Sequence, residues 1–368
     1  MRILFLNSAK EWGGNEKWTL SAASDLALRG HTVYLGCRSE LFEKNNKVRS
    51  LLFVKFPFLN VFDVFTLIMV RSFVKKNSID ILIPTKQREY VLGGLAGWRI
   101  TKIAARFGID RPLHNFRNRF AFRTLFDIVI VNSKKIIDTL SLTPGFNVNK
   151  CKLVYNGVNI PELSTDIREK YRKELGLSDT EFCIMGIGRL SNQKGFDLAL
   201  QAFAELDKEL QNCCLVIVGS GSECNAYQEL AARLGIEKKV LFTGHRDDTS
   251  GLLQAADLFW LTSRSEGMSN ALLEAMAHGK AVVAFDIAGV REAIVDEESG
   301  AIVEEGNTDK FTRVSVKLLK DNKKRHVLGV NARERAEKYF SKDRSAEELE
   351  NELQEVVGIC DMVFKDNL

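Results

Sequence analysis

The stretch EFCIMGIGRLSNQKGFDLAL, residues 181–200, sets the fold of this 368-residue chain. It starts as an apolar run typical of a buried strand, passes through the polar loop RLSNQKG and enters a helical pattern of apolar residues. A strand that leads through a loop into a helix is the repeating unit of a parallel sheet. Further strand patterns follow, separated by helical ones: CCLVIVGSGS (213–222), KVLFTGHR (239–246), ADLFWLTSRS (256–265) and KAVVAFDIAG (280–289).

A similar alternation occupies the first part of the chain. MRILFLNS (1–8) predicts a buried strand, and the turn WGGNE leads into a helix pattern that ends at Gly30. The irregular stretch NGVNIPEL separates the two series. We therefore predict an α/β fold of two parallel-sheet domains, residues 1–160 and 161–344, that face each other across a cleft. Ligands of such sheets bind beyond the carboxyl ends of the strands.

The final segment, residues 345–368, has apolar residues at helical spacing and predicts a helix, with Ser345 and Glu348 as a capping box. No run of about 18 apolar residues is present, which excludes a membrane-spanning helix, and the N-terminus does not resemble a secretory signal. The seven cysteines show no CxxC spacing. We therefore expect no zinc site, no disulfides and a cytoplasmic location.

Charge is unevenly distributed between the two halves. Residues 1–160 hold 25 Lys and Arg against 11 Asp and Glu, whereas the remaining residues hold 27 against 37. The basic half suits an anionic membrane surface, a phosphorylated acceptor or nucleic acid. Because no nucleic-acid-binding module is recognisable, we expect no nucleic acid partner.

Two basic stretches interleaved with apolar residues, 62–76 and 99–123, are candidates for contact with the inner face of a membrane. A solvated surface over an ordinary core would have the same composition. Lys86 and Arg88, after the strand pattern IDILIPT, are candidate contacts to a phosphate of the acceptor.

Two cations flank the loop of the opening stretch. Arg189 follows the strand and Lys194 precedes the helix, an arrangement that suits a diphosphate, although a surface loop with two solvated cations would look the same. The next strand ends in VGSGSE, which includes Ser222. Its glycines either bring backbone close to a nucleotide or form a tight turn. Arg246, after KVLFTGH, lies where a base could be recognised.

The stretch EGMSNALLEAMAHGK, residues 266–280, places two carboxylates around a turn that favours anions. Ser269 or Asn270 can cap the following helix, whose N-terminus attracts a phosphate. Glu266 and Glu274 cannot bind that phosphate, but they can accept hydrogen bonds from hydroxyl groups on its two sides. This pattern predicts a nucleotide sugar as ligand. The alternatives are that Glu266 is an ordinary acidic residue of a loop and that Glu274 is a solvated position of a helix.

The turn EWGGNEK, residues 11–17, has Gly14 at the start of a helix and Asn15 as its candidate cap. A glycine there allows close approach of backbone to a ligand, although a plain capped turn would also contain it.

Together, GRLSNQKG, EGMSNALLEAMAHGKAVVA, YNGV and the early WGG resemble glycosyltransferase family 4, the retaining enzymes of the two-Rossmann-domain GT-B fold. The resemblance implies a donor that is a UDP-, GDP- or ADP-sugar, no cofactor and no metal, and a last helix that crosses back to the first domain. It implies a saccharide or lipid-linked acceptor in the synthesis of cell-envelope polysaccharide or lipopolysaccharide.

The resemblance also implies roles for individual residues. Arg189 and Lys194 would hold the diphosphate and stabilise the leaving nucleotide, Glu274 would bind the ribose, and Gly14 would approach the donor from the other domain. Glu266 would bind the transferred sugar, with help from the backbone amides of Gly267, Met268, Ser269 and Asn270.

Members of the family commonly carry a histidine near the transferred sugar, for which His114 is the candidate here. Two other functions share the architecture: a sugar-nucleotide epimerase and an inactive nucleotide-sugar-binding protein. The complete set of Arg189, Lys194, Glu266 and Glu274 argues against both.

Overall fold

The computed structural model describes residues 1–59 and 63–358. It divides into two compact units, one formed by Met1–Asn156 with the C-terminal segment that begins at Asp343, the other by Gly157–Lys342. Each unit contains one parallel sheet between helices, so the predicted fold of two Rossmann-like domains is confirmed.

The first domain holds a seven-stranded parallel sheet in the order β3-β2-β1-β4-β5-β6-β7. Its strands are β1 (Arg2–Asn7), β2 (Thr32–Cys37), β3 (Leu52–Lys55), β4 (Ile81–Pro84), β5 (Lys102–Phe107), β6 (Ile128–Val131) and β7 (Cys151–Leu153). The central strands read as continuous apolar runs because helices cover both faces of the sheet. Its α-helices are α1 (Gly14–Leu28), α2 (Leu41–Asn45), α3 (Val64–Lys76), α4 (Gln87–Gly97), α5 (Phe116–Phe120) and α6 (Lys134–Ser141).

The second domain holds a six-stranded parallel sheet in the order β10-β9-β8-β11-β12-β13. Its strands are β8 (Phe182–Ile187), β9 (Cys213–Val218), β10 (Val240–Gly244), β11 (Leu258–Leu261), β12 (Ala281–Phe285) and β13 (Ala301–Val303). Its helices are α7 (Thr165–Glu174), α8 (Phe196–Glu209), α9 (Cys224–Arg233), α10 (Thr249–Ala255), α11 (Asn270–Ala277), α12 (Val290–Ala293), α13 (Thr308–Lys320) and α14 (Asn322–Phe340).

The last described helix, α15 (Lys342–Val357), returns to the first domain, as expected. Its Leu349 and Leu353 are fully buried in the same apolar cluster as the residues of β1 and β2. The helix begins before the predicted capping box, so that prediction is wrong: Ser345 lies inside the first turn and its hydroxyl donates to the carbonyl oxygen of Tyr155 at 2.6 Å. Residues 359–368 of the predicted segment, including Cys360, lie outside the described residues.

Two other local expectations are corrected. Asn15 does not cap α1, because its side-chain amide donates to the carbonyl oxygen of Thr85 at 3.0 Å and the helix begins at Gly14 without a side-chain cap. The basic stretch 99–123 is not one amphipathic surface, because it contains β5. Arg106 of that strand is buried and lies over the ring of Trp18, 4.4 Å from its centroid.

None of the helices in the described ranges combines the length and the apolar character needed to cross a bilayer.

Candidate functional site

The candidate site lies at the carboxyl edge of the second sheet, where β8 and β11 end side by side. The loop after β8 carries Gly188 to Gly195 into α8, and the loop after β11 carries Thr262 to Ser269 into α11. These two strands are distant in sequence but are direct neighbours in the sheet. The edge therefore brings together the two motifs that predicted a diphosphate and a pair of carboxylates.

Lys194 and Glu266 form the centre of the site. The ammonium of Lys194 donates to Oε1 of Glu266, and the hydroxyl of Ser263 donates to the same oxygen at 3.0 Å. The alkyl chain of Lys194 lies against Gly188, where an added Cβ would meet it at 3.3 Å. Both charged side chains retain some solvent exposure, 21% for Lys194 and 11% for Glu266. The pair can therefore exchange its mutual contact for contacts to a ligand.

Arg189 lies in the same loop as Lys194 and is a free cation in the described part of the chain. Its side chain is exposed, and it has no hydrogen bond or ion pair within residues 1–59 and 63–358. A planar guanidinium with all its donors available suits a phosphate oxygen pair.

A second ion pair fastens the two loops together. Arg264 donates to both carboxylate oxygens of Asp197 at 2.9 and 2.6 Å, and also to the carbonyl oxygen of Asn192 at 2.7 Å. Gln193 adds a bond to the carbonyl oxygen of Ser265 at 2.7 Å. Burial acts to raise the pKa of Asp197, but the hydrogen bonds and charge of Arg264 outweigh it, so the pKa is lowered. The loops form a pre-ordered frame for Lys194.

Two glycines with positive φ allow the backbone to close around this frame. Gly195 has φ +63°, and a Cβ there would stand 2.1 Å from the carbonyl oxygen of Thr262. Gly289 has φ +78°, and a Cβ there would stand 2.0 Å from the carbonyl oxygen of Gly267. Only glycine fits at such positions, so the loop after β12 presses directly on the EGMSN turn.

The glycines of VGSGSE serve the same kind of loop packing. A Cβ at Gly219 would lie 1.9 Å from the carbonyl oxygen of Gly188, and one at Gly221 would lie 2.2 Å from that of Leu190. This geometry favours the tight-turn interpretation. Ser222 is exposed, and its hydroxyl lies 3.3 Å from a carboxylate oxygen of Glu223.

The EGMSN turn leads into α11 as predicted, with Ser269 as the cap: its hydroxyl oxygen accepts from the backbone amide of Leu272 at 3.4 Å. Met268 and Ser269 are buried, and Asn270 begins the helix. Glu274 is half-buried one turn further on, between the buried Leu273 and Ala275. The side of the helix that carries Glu274 is therefore not a fully solvated surface.

Arg246 does not join this cluster. Its guanidinium donates to Asp248 at 2.7 and 2.6 Å and to Glu174 at 2.7 Å. The Arg246 hydrogen bonds lower the pKa of Asp248 to about 2. The role of Arg246 in reading a base stays a prediction, and in this structure two carboxylates neutralise its charge.

The candidate acceptor residues of the first domain are not assembled into a site. The ammonium of Lys86 is 2.6 Å from a carboxylate oxygen of Glu16, and Arg88 donates to the carbonyl oxygen of Phe58 at 2.8 Å. Their role as contacts to a phosphate of the acceptor stays a prediction, although both side chains already have partners in the folded chain. His114 is exposed, and Gly14 is exposed at the first position of α1.

His278 lies at the C-terminal end of α11, and its burial makes the stability of the fold depend on pH. Its Nδ1 lies 2.6 Å from the carbonyl oxygen of Glu274, and its Nε2 lies 2.8 Å from the hydroxyl of Ser250. A neutral ring satisfies both contacts, donating from Nδ1 and accepting at Nε2. Burial lowers the pKa of His278 in the folded protein.

The unfolded chain therefore binds a proton at this position as the pH falls through about 6.5, whereas the folded chain does not until lower pH. Stability contributed by neutral His278 is present above that value and is lost as the pH falls below it. We expect the decrease in Tm between about pH 7.5 and about pH 5.5 to be smaller in His278→Asn than in the wild type. His326→Asn, which removes an exposed histidine of the same domain, should keep the wild-type decrease; an equal effect of both variants would contradict the role of His278.

Comparison with known proteins connects this geometry to a family. Residues 167–335 match the model of the family described as glycosyl transferases group 1. The N-acetyl-alpha-D-glucosaminyl L-malate synthase of Bacillus anthracis is 26% identical over 92% of this chain and 93% of its own length. A Campylobacter jejuni enzyme, N-acetylgalactosamine-N,N'-diacetylbacillosaminyl-diphospho-undecaprenol 4-alpha-N-acetylgalactosaminyltransferase, is 30% identical over 62% of this chain and 61% of its own.

Among solved structures, Anabaena HepE in complex with UDP-glucose superposes with a TM-score of 0.87, covering 96% of this chain and 100% of HepE at 23% identity. The chain therefore shares the fold of HepE. The second domain carries the glycosyl transferases group 1 signature, and the chain has glycosyltransferase homologues along most of its length.

Proposed function

We propose that this homologue of group 1 glycosyltransferases is a retaining, metal-independent glycosyltransferase of family 4. It moves a sugar from a nucleoside-diphosphate sugar to a saccharide or lipid-linked acceptor in the synthesis of cell-envelope polysaccharide or lipopolysaccharide. The observation that carries the proposal is the cluster of Arg189, Lys194 and Glu266 at one edge of the second sheet, beside the N-terminus of α11.

The two cations are proposed to hold the diphosphate of the donor. Arg189 provides unpaired donors, and Lys194 can turn from Glu266 to a phosphate oxygen over a short distance. As the bond between the sugar and the β-phosphate breaks, negative charge develops on the phosphate. Fixed cations and a helix N-terminus stabilise that charge in the transition state. Arg189 and Lys194 therefore act as catalytic residues.

The carboxylates are proposed to bind the hydroxyl groups on either side of the diphosphate. Glu266, the third catalytic residue, accepts from the transferred sugar once Lys194 has turned to the phosphate. The backbone amides of residues 267–270 lie in the same turn and complete this subsite. Glu274, one turn into α11, accepts from the ribose. Ser222 and Gly14 remain further predicted donor contacts.

Retention follows from a same-face reaction. The bond from the anomeric carbon to the leaving β-phosphate oxygen breaks, and a bond from that carbon to the acceptor oxygen forms on the same face. The acceptor hydroxyl passes its proton to the leaving phosphate, so no further base is required. The donor is a UDP-, GDP- or ADP-sugar. HepE, whose structure holds UDP-glucose, and the family match to glycosyl transferases support this class and do not favour the epimerase or the inactive binding protein.

An assay with a panel of nucleotide sugars tests the proposal. We expect release of a nucleoside diphosphate from one donor, faster when an acceptor glycan is added, with the anomeric configuration of the donor kept in the product. Interconversion of sugars without an acceptor would instead indicate an epimerase, and binding without any release would indicate an inactive binding protein. An inverted product would contradict retention.

The first domain is proposed to attach to the inner, anionic face of the membrane, where it would reach a lipid-linked acceptor. The name of the Campylobacter jejuni relative includes an acceptor of this class, a diphospho-undecaprenol. One side of α3 exposes Val64, Phe65 and Ile68, and the helix ends with the exposed Lys75 and Lys76. Apolar residues followed by cations suit an anionic lipid surface.

Flotation with anionic vesicles at low salt measures this attachment. We expect the wild type to float and a Phe65→Ser/Ile68→Ser variant to lose most of its binding, because two exposed apolar anchors are removed. Flotation that is equal in both proteins would contradict the assignment of α3.

A further inference from the structure

A groove of about 580 Å³ opens in the first domain, away from the residues that were predicted to bind the acceptor. Four cationic side chains and one acidic side chain line it: Lys10, Arg38, Lys44, Lys55 and Glu40. None of these residues belongs to a sequence motif described above. An open groove with this excess of positive charge is suited to an anionic ligand.

The order of the sheet explains why the cations meet. Strands β3, β2 and β1 are consecutive neighbours and all run in parallel. Lys10 follows the end of β1, Arg38 comes directly after β2, and Lys55 is the last residue of β3. Each strand therefore delivers one cation to the carboxyl edge, where parallel sheets of this kind bind their ligands.

Packing beneath the groove holds its walls in place. Phe42 of α2 is fully buried, and its ring contacts that of Trp12 edge-on, with the centroids 5.8 Å apart. Trp12 belongs to the same loop as Lys10, so the loop and α2 are fixed to each other. The adjoining Cys37 is buried, and burial raises the pKa of its thiol to about 11. The chemistry that the groove offers is therefore cationic and not nucleophilic.

Two of the four cations are available to a ligand. Lys55 is paired with Glu43 at 2.6 Å, and Lys44 lies 3.6 Å from Glu40 in an exposed pair. Lys10 and Arg38, by contrast, have no hydrogen bond or ion pair in the part of the chain that the structure describes. Arg38 is half-buried, which restricts its guanidinium, whereas Lys10 is an exposed point charge. The guanidinium of Arg38 offers several donors in one plane and the ammonium of Lys10 offers a compact charge, a combination that suits a phosphate group.

We propose that this groove binds a phosphate group of the acceptor, with Lys10 and Arg38 as its direct ligands. The inference rests on the proposed glycosyltransferase function and names the chemistry of its acceptor. It adds two residues to the predicted phosphate contacts Lys86 and Arg88, which already have partners in the folded chain. The loop that carries Lys10 continues into Gly14, the predicted contact to the donor.

Phosphorus NMR titration of the full chain with glucose 6-phosphate tests the proposal, with inorganic phosphate as a second probe. We expect the Lys10→Gln/Arg38→Gln variant to bind glucose 6-phosphate at least about tenfold more weakly than the wild type, since each lost charge-assisted contact is worth about that factor. The matched control is Lys47→Gln/Arg49→Gln, which removes the same charges from exposed positions of the same domain outside the groove. This control should bind like the wild type. Because the donor site is unchanged in both double variants, phosphate binding there contributes equally to the two measurements.

A second arm identifies the source of the phosphate. Sedimentation with phosphatidylcholine vesicles, with and without phosphatidic acid, shows whether a lipid phosphate can occupy the groove. The proposal is supported if Lys10→Gln/Arg38→Gln, but not the control variant, loses binding of glucose 6-phosphate or of phosphatidic acid. Which of the two ligands is lost tells whether the phosphate is soluble or lipid-borne. Equal binding by both double variants, whether weakened or not, overturns it.

Acceptor-independent release of nucleoside diphosphate from a nucleotide sugar is measured in parallel. If release persists in Lys10→Gln/Arg38→Gln while the phosphate result is negative, only the groove assignment fails. If the wild type releases nothing from any nucleotide sugar, the proposed function fails, whatever the groove binds.

Discussion

Replacement of Lys194 by alanine is expected to lower sugar-transfer turnover by about 10²–10³-fold, the loss seen when one donor that stabilises a developing oxyanion is removed. Lys194 is held at the carboxyl edge of the second sheet by Glu266 and by the surface of Gly188. Its ammonium needs only to turn from Glu266 to reach the proposed β-phosphate. Donor turnover under single-turnover conditions measures the loss, and the Tm of the variant shows whether the fold is retained.

Lys208→Ala is the matched control for this prediction. Lys208 lies on α8 of the same domain, where it forms an exposed pair with Glu205. The two substitutions remove the same charge from the same domain, but only Lys194 belongs to the proposed diphosphate site. Normal turnover in Lys194→Ala, or an equal loss in Lys208→Ala, would contradict the assignment of Lys194 to the leaving group.

Replacement of Gly195 by alanine is expected to destabilise the protein by roughly 2–5 kcal/mol, through a strained left-handed backbone and an overpacked contact together. The added Cβ would stand 2.1 Å from the carbonyl oxygen of Thr262, a backbone atom that cannot move away without shifting the loop after β11. Urea denaturation measures the change in the free energy of unfolding.

Gly235→Ala separates the two causes. Gly235 has φ +73°, similar to the +63° of Gly195, but an added Cβ there meets nothing within 4 Å. It should therefore cost only the backbone strain, about 1–2 kcal/mol. If the two variants were equally destabilised, the close approach of the loops at Gly195 and Thr262 would not be important for stability.

Much of the fold could be predicted from the sequence because the central strands are continuous apolar runs. β1, β4, β8, β9, β10, β11 and β12 all lie within strand patterns. Among the strands that escaped prediction, two break that rule: β3 is a half-exposed edge strand that ends in Lys55, and β5 contains the buried Arg106. A buried arginine cannot be distinguished from a surface one by composition, since its burial depends on Trp18 and Asn156, which are distant in sequence.

Residues of the candidate site could be predicted where they belong to one sequence motif, but contacts between motifs could not. Arg189, Lys194 and Glu266 stand out in the sequence because each follows a strand and precedes a helix. The salt bridge from Arg264 to Asp197 was missed, since it requires that β8 and β11 be neighbours. The hydrogen bond from the Ser263 hydroxyl to Glu266 was also missed, because it depends on how the loop after β11 folds.

For the remaining cations, the sequence did not reveal the partners that they have in the folded chain. Arg246, Lys86 and Arg88 have the sequence context of ligand contacts, but their partners are fixed by the folded chain. Glu174, for example, comes from α7, far from Arg246 in sequence. Position after a strand therefore identifies residues at the ligand-binding edge, whereas availability for a ligand depends on tertiary partners.

A thermal-shift screen with nucleoside diphosphates tests the central claim most directly, because a ligand that binds only the folded state raises its Tm. UDP, GDP and ADP would be compared on the wild type, on Lys194→Ala and on Lys208→Ala. We predict that one of the three raises the Tm of the wild type and of Lys208→Ala, and that the shift is largely lost in Lys194→Ala. The absence of any shift in the wild type, or an undiminished shift in Lys194→Ala, would contradict a diphosphate site at Arg189 and Lys194.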